Sequence, residues 1–175
     1  MTKKIIAFGA SNSSTSINKR LATYASTLFK NTEVEILDLN NYEMPIFSVD
    51  KEANGFPKEA QKFLDKIQEA DLLVVSMAEH NGNYTTAFKN ILDWTSRING
   101  KVFQGKKMLL MATSPGARGG KSVLEISKDR FPRHDADLVG TFSLPSFYEN
   151  FDSVNGIINI DLKNELLEII KEIDF

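Results

Sequence analysis

Three stretches carry side chains able to do chemistry. The first reads GASNSSTSIN over residues 9–18, where Ser11, Asn12, Ser13, Ser14, Thr15, Ser16 and Asn18 follow the apolar run at residues 5–8. Hydroxyls and amides bury no apolar surface, and each needs a hydrogen-bond partner. A loop of small residues that runs into a helix also offers free backbone N–H groups and the positive end of the helix dipole, a combination suited to a phosphate. Neither GxGxxG nor GxxxxGK[ST] is present, so no dinucleotide fingerprint or P-loop is supported. Helix capping by Ser14 or Ser16 is the plainer account, and it uses only one or two of these groups.

The second stretch is SMAEHNGNYTTAFKNILDW, residues 76–94, in which Glu79, His80, Asn81, Gly82 and Asn83 form a tight polar turn. Asn-Gly favours a backbone that turns its amides outward. A simple turn into a helix, with His80 as a surface histidine, is an equal reading, and Phe88 and Trp94 belong to a core. The third is ATSPGARGGKS, residues 112–122, with Pro115, Gly116, Gly119 and Gly120 close enough together for the backbone to approach a flat ligand. Arg118 is either an anion contact or merely solvated.

Other chemistries are excluded by composition. There is no cysteine, hence no disulfide, thiolate metal site or cysteine nucleophile. The two histidines, His80 and His134, stand far apart without metal-ligand spacing. Redox chemistry here would rest on a bound organic cofactor.

Alternating elements must position these stretches. The segments KKIIAFGA, EVEILDL, ADLLVVSMA, KKMLLMATS and ADLVGTFSLPSF read as strands. Val34, Ile36 and Leu39 are expected to share one face of the second. Helices are predicted from Ser16 to Phe29, from Pro57 to Glu69, over YTTAFKNILDWTSRI and KSVLEISKDRF, and at the end of the chain, where Asp161 is the expected cap. Continuous rather than alternating apolar strands, each followed by a helix, predict an α/β fold: a five-stranded, doubly wound parallel sheet of order 2-1-3-4-5, flavodoxin-like, with helices on both faces. Ligands of such sheets lie beyond the carboxyl ends of the strands, at the switch point. The loops after strands one, three and four should therefore share one rim.

The 175 residues suit one domain over 1–175. A net charge of −2 with scattered Lys and Arg gives no basic stripe for nucleic acid. No apolar run is long enough to span a bilayer or form a secretory signal, so a cytoplasmic protein is expected.

On its motifs the chain resembles the NADPH-dependent FMN reductase family, flavodoxin-like azo-, quinone- and chromate-reducing flavoproteins. The family's G-S-x-R-x-x-S-x-N stands here as ASNSSTSIN: Ser11, Ser16 and Asn18 match, while Ala10 replaces the glycine and Ser13 the arginine. P-E-Y-N-x-S-x-P followed by K-N-x-x-D-W stands as AEHNGNYTTAFKNILDW, with Glu79, Asn81, Lys89, Asn90, Asp93 and Trp94 retained and Ala78, His80 and Thr85 departing. S-x-G-x-x-G-G is present as SPGARGG.

The resemblance implies bound FMN, with Ser11, Ser13, Ser16, Ile17 and Asn18 on the phosphate. Glu79, His80, Asn81, Gly82 and Asn83 would follow the ribityl chain and ring, and Ser114, Pro115, Gly116 and Gly119 the pyrimidine side. It implies hydride transfer from NADPH or NADH through FMN to a flavin, quinone or similar small acceptor, by a homodimer or homotetramer. Loss of the motif arginine removes a charge-assisted phosphate contact. A flavodoxin-like electron carrier and a flavin-free interaction module are the alternatives on the same fold. The helix after the second stretch carries Phe88, Ile91, Leu92, Trp94 and Thr95, more apolar surface than one face needs, a hint of a subunit interface.

Overall fold

The computed structural model describes residues 2–175. Five parallel strands form the sheet: β1 (Lys3–Ala10), β2 (Thr32–Ile36), β3 (Leu72–Met77), β4 (Lys107–Thr113) and β5 (Asp137–Leu144). Their order is β2-β1-β3-β4-β5, the flavodoxin-like order expected. Helices α1 (Ile17–Thr27), α2 (Lys58–Glu69), α3 (Thr86–Ile98), α4 (Lys121–Arg130) and α5 (Ile160–Lys171) cover both faces.

Alternation along each strand feeds two cores. Ile6, Phe8 and Ala10 of β1 face the layer of α2, α3 and α4, with Phe63, Ile67, Phe88, Val123 and Leu124. Ile5 and Ala7 face the layer of α1 and α5, with Leu21, Ala25 and Leu166. All six residues of β3 are buried, as a central strand covered on both sides requires.

The expected elements are all present, with shorter ends. β2 stops at Ile36, and the chain turns into a 3-10 segment, Leu39–Tyr42. Val34 and Ile36 pack on the α1 layer, but Leu39 lies in the opposite core, because the strand's alternation ends before it. β5 ends at Leu144 rather than continuing to Phe147. Pro145 and the left-handed Ser146 (φ 43°) break it, and one helical turn, Phe147–Asn150, follows. A small hairpin, Phe151–Asp152 with Gly156–Ile157, then leads to α5. Asn159, not Asp161, caps α5: its Oδ1 accepts from the amides of Asp161 and Leu162. Asp161 instead sits in the first turn, where its charge faces the positive helix end.

The apolar surplus of α3 is consumed inside the chain. Phe88, Ile91, Leu92, Trp94 and Thr95 are all buried. Trp94 Nε1 donates to the Pro45 carbonyl at 2.7 Å, and Phe47 meets its ring edge-on at 5.1 Å. Asn90 accepts from the Phe47 amide at 2.8 Å and donates to the carbonyls of Met44 and Pro45. Asn90 and Trp94 thus clamp the loop after the 3-10 segment onto α3. None of these five residues is left open for a partner subunit.

At the amino edge of the sheet, Lys4, Glu35, Lys66 and Glu69 form a closed four-member ion network, with Lys4–Glu35 at 3.0 Å and Lys66–Glu35 at 2.9 Å. Hydrogen bonds to Glu69 and then Glu35 raise the Lys4 pKa, and Lys66 first and Lys4 next lower that of Glu35.

Candidate functional site

β1, β3 and β4 end level. Ala10 pairs in register with Met77, and Met77 with Ala112, so the three following loops leave from one rim.

The first loop is folded by its own side chains. Ser13 N donates to Ser11 Oγ at 3.1 Å, Thr15 N to Ser13 Oγ at 3.3 Å, and Lys19 N to Ser16 Oγ at 3.1 Å. Ser16 is therefore the N-cap of α1. Among the described residues, the amides of Asn12, Ser14, Ile17 and Asn18 have no backbone or side-chain acceptor. Open amides at a helix start are the donor set that an anion satisfies.

Two buried features hold α1 against the sheet. A Cβ on Gly9 would stand 2.2 Å from Lys19 N and 2.7 Å from the Asn18 carbonyl carbon, so only glycine admits the helix there. Asn18, 3% exposed, stitches three elements. Its Oδ1 accepts from Ser76 Oγ at 2.7 Å and Thr113 N at 3.1 Å, and its Nδ2 donates to the Thr113 carbonyl at 3.2 Å.

The second loop is a two-residue hairpin. Glu79–His80 pairs with Asn83–Tyr84, and Asn81 and Gly82 turn at φ 52° and 75°, the positive values that a primed turn requires. Thr85 caps α3 by accepting from Phe88 N, and its hydroxyl donates to the Ala10 carbonyl at 2.9 Å. The start of α3 is thereby tied to the end of β1.

The third loop is bound to its neighbours on both sides. Glu79 Oε2 accepts from Val123 N in the first turn of α4 at 3.0 Å. The N-cap of α4 is Gly120, which has no side chain to offer, so Glu79 supplies the missing acceptor from another loop. On the far side, Ser146 N donates to the Gly116 carbonyl at 3.0 Å and Phe147 N to the Ser114 carbonyl at 3.1 Å.

A cleft of about 230 Å³ opens between these loops. Ser11, Ser13, Ser16, Ile17, Asn18, Glu79, His80, Ser114 and Pro115, all expected from the sequence, line it. Asn81, Gly82, Asn83, Gly116 and Gly119 do not. Asn81 and Gly82 form the hairpin tip, and Asn83 Oδ1 accepts from the Tyr84 amide. Gly116 accepts from Ser146 N. Gly119 is buried against β5, where an added Cβ would lie 2.5 Å from Ser143 Oγ. Thr15, Ala78 and Thr113, which lie within the three stretches but were not among the expected ligands, also line the cleft, as does Tyr148, which lies outside all three. Tyr148 is 69% exposed and sits in the helical turn Phe147–Asn150, just past the segment read as strand, which ends at Phe147. The Pro145–Ser146 pair was the available signal that the strand stops before it.

The polar chemistry of the cleft is one-sided. Its single carboxylate, Glu79, is engaged with Val123 N, and the remaining walls offer hydroxyls and amides. That donor set fits a phosphate monoester. A second cleft of about 450 Å³ lies beside it, lined by Asn12, Tyr42, Met44, Ile46 and Asn90, and His80 belongs to both. Among the described residues there is no cluster of three metal-ligating side chains and no helix long and apolar enough to cross a membrane.

Residues 3–149 match the family model described as NADPH-dependent FMN reductase. The MG342 homolog of Mycoplasma pneumoniae is 27% identical over 157 residues, covering 87% of this chain and 93% of that protein. An NADPH:quinone oxidoreductase of Arabidopsis thaliana is 31% identical over 124 residues, 68% of this chain but 62% of the relative. Among solved structures, the flavoenzyme NAD(P)H:(acceptor) oxidoreductase FerB from Paracoccus denitrificans superposes with a TM-score of 0.75 at 20% identity, covering 97% of this chain and 93% of that one.

Proposed function

The chain belongs to the NADPH-dependent FMN reductase family, a family of oxidoreductase enzymes, and we propose that residues 1–175 act as one FMN-binding domain that passes hydride equivalents from NADPH or NADH to a small acceptor such as a flavin or quinone. One observation supports this reading: Ile17 and Asn18, whose amides are unpartnered, line one cleft with the hydroxyl residues Ser11, Ser13 and Ser16, and the loops after β3 and β4 supply its other walls.

FMN, when bound, supplies hydride acceptance and electron delivery. The residues hold and orient it. Ser11, Ser13, Ser16 and the amides of Ile17 and Asn18 take the phosphate. Glu79 and His80 of the hairpin and Ser114 and Pro115 of the turn would flank the remainder, the hairpin fixed by Glu79 on Val123 and the turn by Ser146 and Phe147. The adjoining cleft, sharing His80, provides room for nicotinamide and acceptor in turn.

A cytoplasmic homodimer or homotetramer is the expected form. Its interface would lie on the exposed apolar residues Ile46, Val49 and Phe56 rather than on the buried face of α3. The test is a visible spectrum of the protein after FMN is added and excess removed, followed by NADPH and NADH oxidation with a quinone present. Flavin-free protein that leaves both nicotinamides untouched overturns the reading.

A further inference from the structure

From residue 11 to residue 18 the first loop contains no cationic side chain. Lys19, the next residue, is committed elsewhere: its Nζ meets Asp38 Oδ2 at 2.6 Å. Arg20 follows on α1, and among the described residues it is in no ion pair and makes no side-chain hydrogen bond. Its guanidinium lies over two aromatic rings, 5.1 Å from the Phe147 centroid and 5.3 Å from that of Phe151. Phe147 and Phe151 stack at 4.7 Å, so the platform is itself fixed. Cation–π contact orients a guanidinium but leaves its N–H donors free for an acceptor.

Arg20 lines a cleft of about 440 Å³ together with Ser14, Thr15 and Ser16 of the same loop. Thr15 and Ser16 also line the smaller cleft described above, so the two meet there. We infer that Arg20 is the cationic partner of the FMN phosphate, replacing from α1 the charge that Ser13 does not provide; this rests on the reading that the loop holds that phosphate. The guanidinium offers a fork of donors matched to phosphate oxygens, and its aromatic seat limits the rotamer freedom lost on binding.

The role predicts discrimination between FMN and riboflavin, which differ by the phosphate alone. Quenching of flavin fluorescence is measured for each flavin with the native protein, Arg20→Gln and Arg20→Lys. Arg20→Gln weakens FMN by about ten- to a hundred-fold, the size of a lost charge-assisted contact, and leaves riboflavin unchanged. Arg20→Lys recovers part of the loss, and the salt dependence of FMN binding flattens in Arg20→Gln. Equal losses for both flavins show a purely structural side chain and overturn the inference, as does an unchanged FMN-to-riboflavin ratio; in either case the FMN-binding reading survives. Native protein that binds neither flavin overturns that reading and this inference together.

Discussion

The side-chain amide of Asn18 pairs with the backbone of Thr113 in both directions, donating to its carbonyl at 3.2 Å and accepting from its N–H at 3.1 Å. A side chain from the first helix thus serves as a strand partner at the end of β4. The same oxygen takes the Ser76 hydroxyl at 2.7 Å, so one residue sets the spacing of the first, third and fourth elements at the rim.

Asn18→Ala leaves the Ser76 hydroxyl and both Thr113 backbone groups buried without partners. The expected loss is about 2–3 kcal/mol of unfolding free energy in urea titration. A loss below about 0.5 kcal/mol, the range of ordinary surface changes, would show that the staple is not needed.

Gly9→Ala pushes a methyl into the first turn of α1, 2.2 Å from Lys19 N. Overpacking against backbone costs about 1–3 kcal/mol, and the displaced amides of Ile17 and Asn18 should bind FMN less tightly. Gly100→Ala is the control, since an added Cβ there meets nothing within 4 Å. Thermal unfolding and flavin titration of the pair separate a local clash from a general effect of adding a methyl.

Glu79→Ala removes the acceptor that caps α4 from a different loop. The expected cost is about 1 kcal/mol in chemical unfolding, typical of a lost N-cap. Glu79→Gln keeps an acceptor and should retain most of it, losing only the charge opposite the helix dipole. Identical stability of all three forms would place the Glu79 carboxylate outside the cap.

Asp38 has its pKa lowered to about 2, first by the Lys19 ammonium and then by the Asn40 amide. Because the folded-state value lies below that of the unfolded chain, its contribution is complete above about pH 4 and disappears as pH falls toward 2. With both side chains about a third exposed, solvent limits it to about 1 kcal/mol. Asp38→Asn should lower stability at neutral pH and leave it unchanged near pH 2. An acid unfolding curve the same for both proteins contradicts this.

The strands were legible because continuous apolar runs such as LLVVSM have no other economical arrangement, and the cleft was legible because small polar residues crowd the ends of those runs. The limits are equally physical. Asn18 reads as a phosphate ligand by motif, yet its side chain is engaged 95 residues away, a pairing that no local pattern encodes. Glycines at 116 and 119 read as ligand-facing, but Gly119 serves close packing against Ser143 and Pro145. Leu39 was placed on the wrong face because alternation predicts sides only while the strand lasts, and β2 ends at Ile36. Tyr148 was missed for the same reason at the end of β5. Apolar excess on α3 suggested a partner subunit, whereas residues 44–47 of the chain itself cover it through Asn90 and Trp94.

The ion network of Lys4, Glu35, Lys66 and Glu69 stands at the sheet's amino edge, the opposite end from the cleft. Its members remain partly open to solvent, so added salt weakens them. Adaptation to heat or brine can therefore proceed by exchanging residues at that pole while reactivity at the other is inherited intact. The molecule can be tuned for its surroundings and for its substrates as two nearly separate traits.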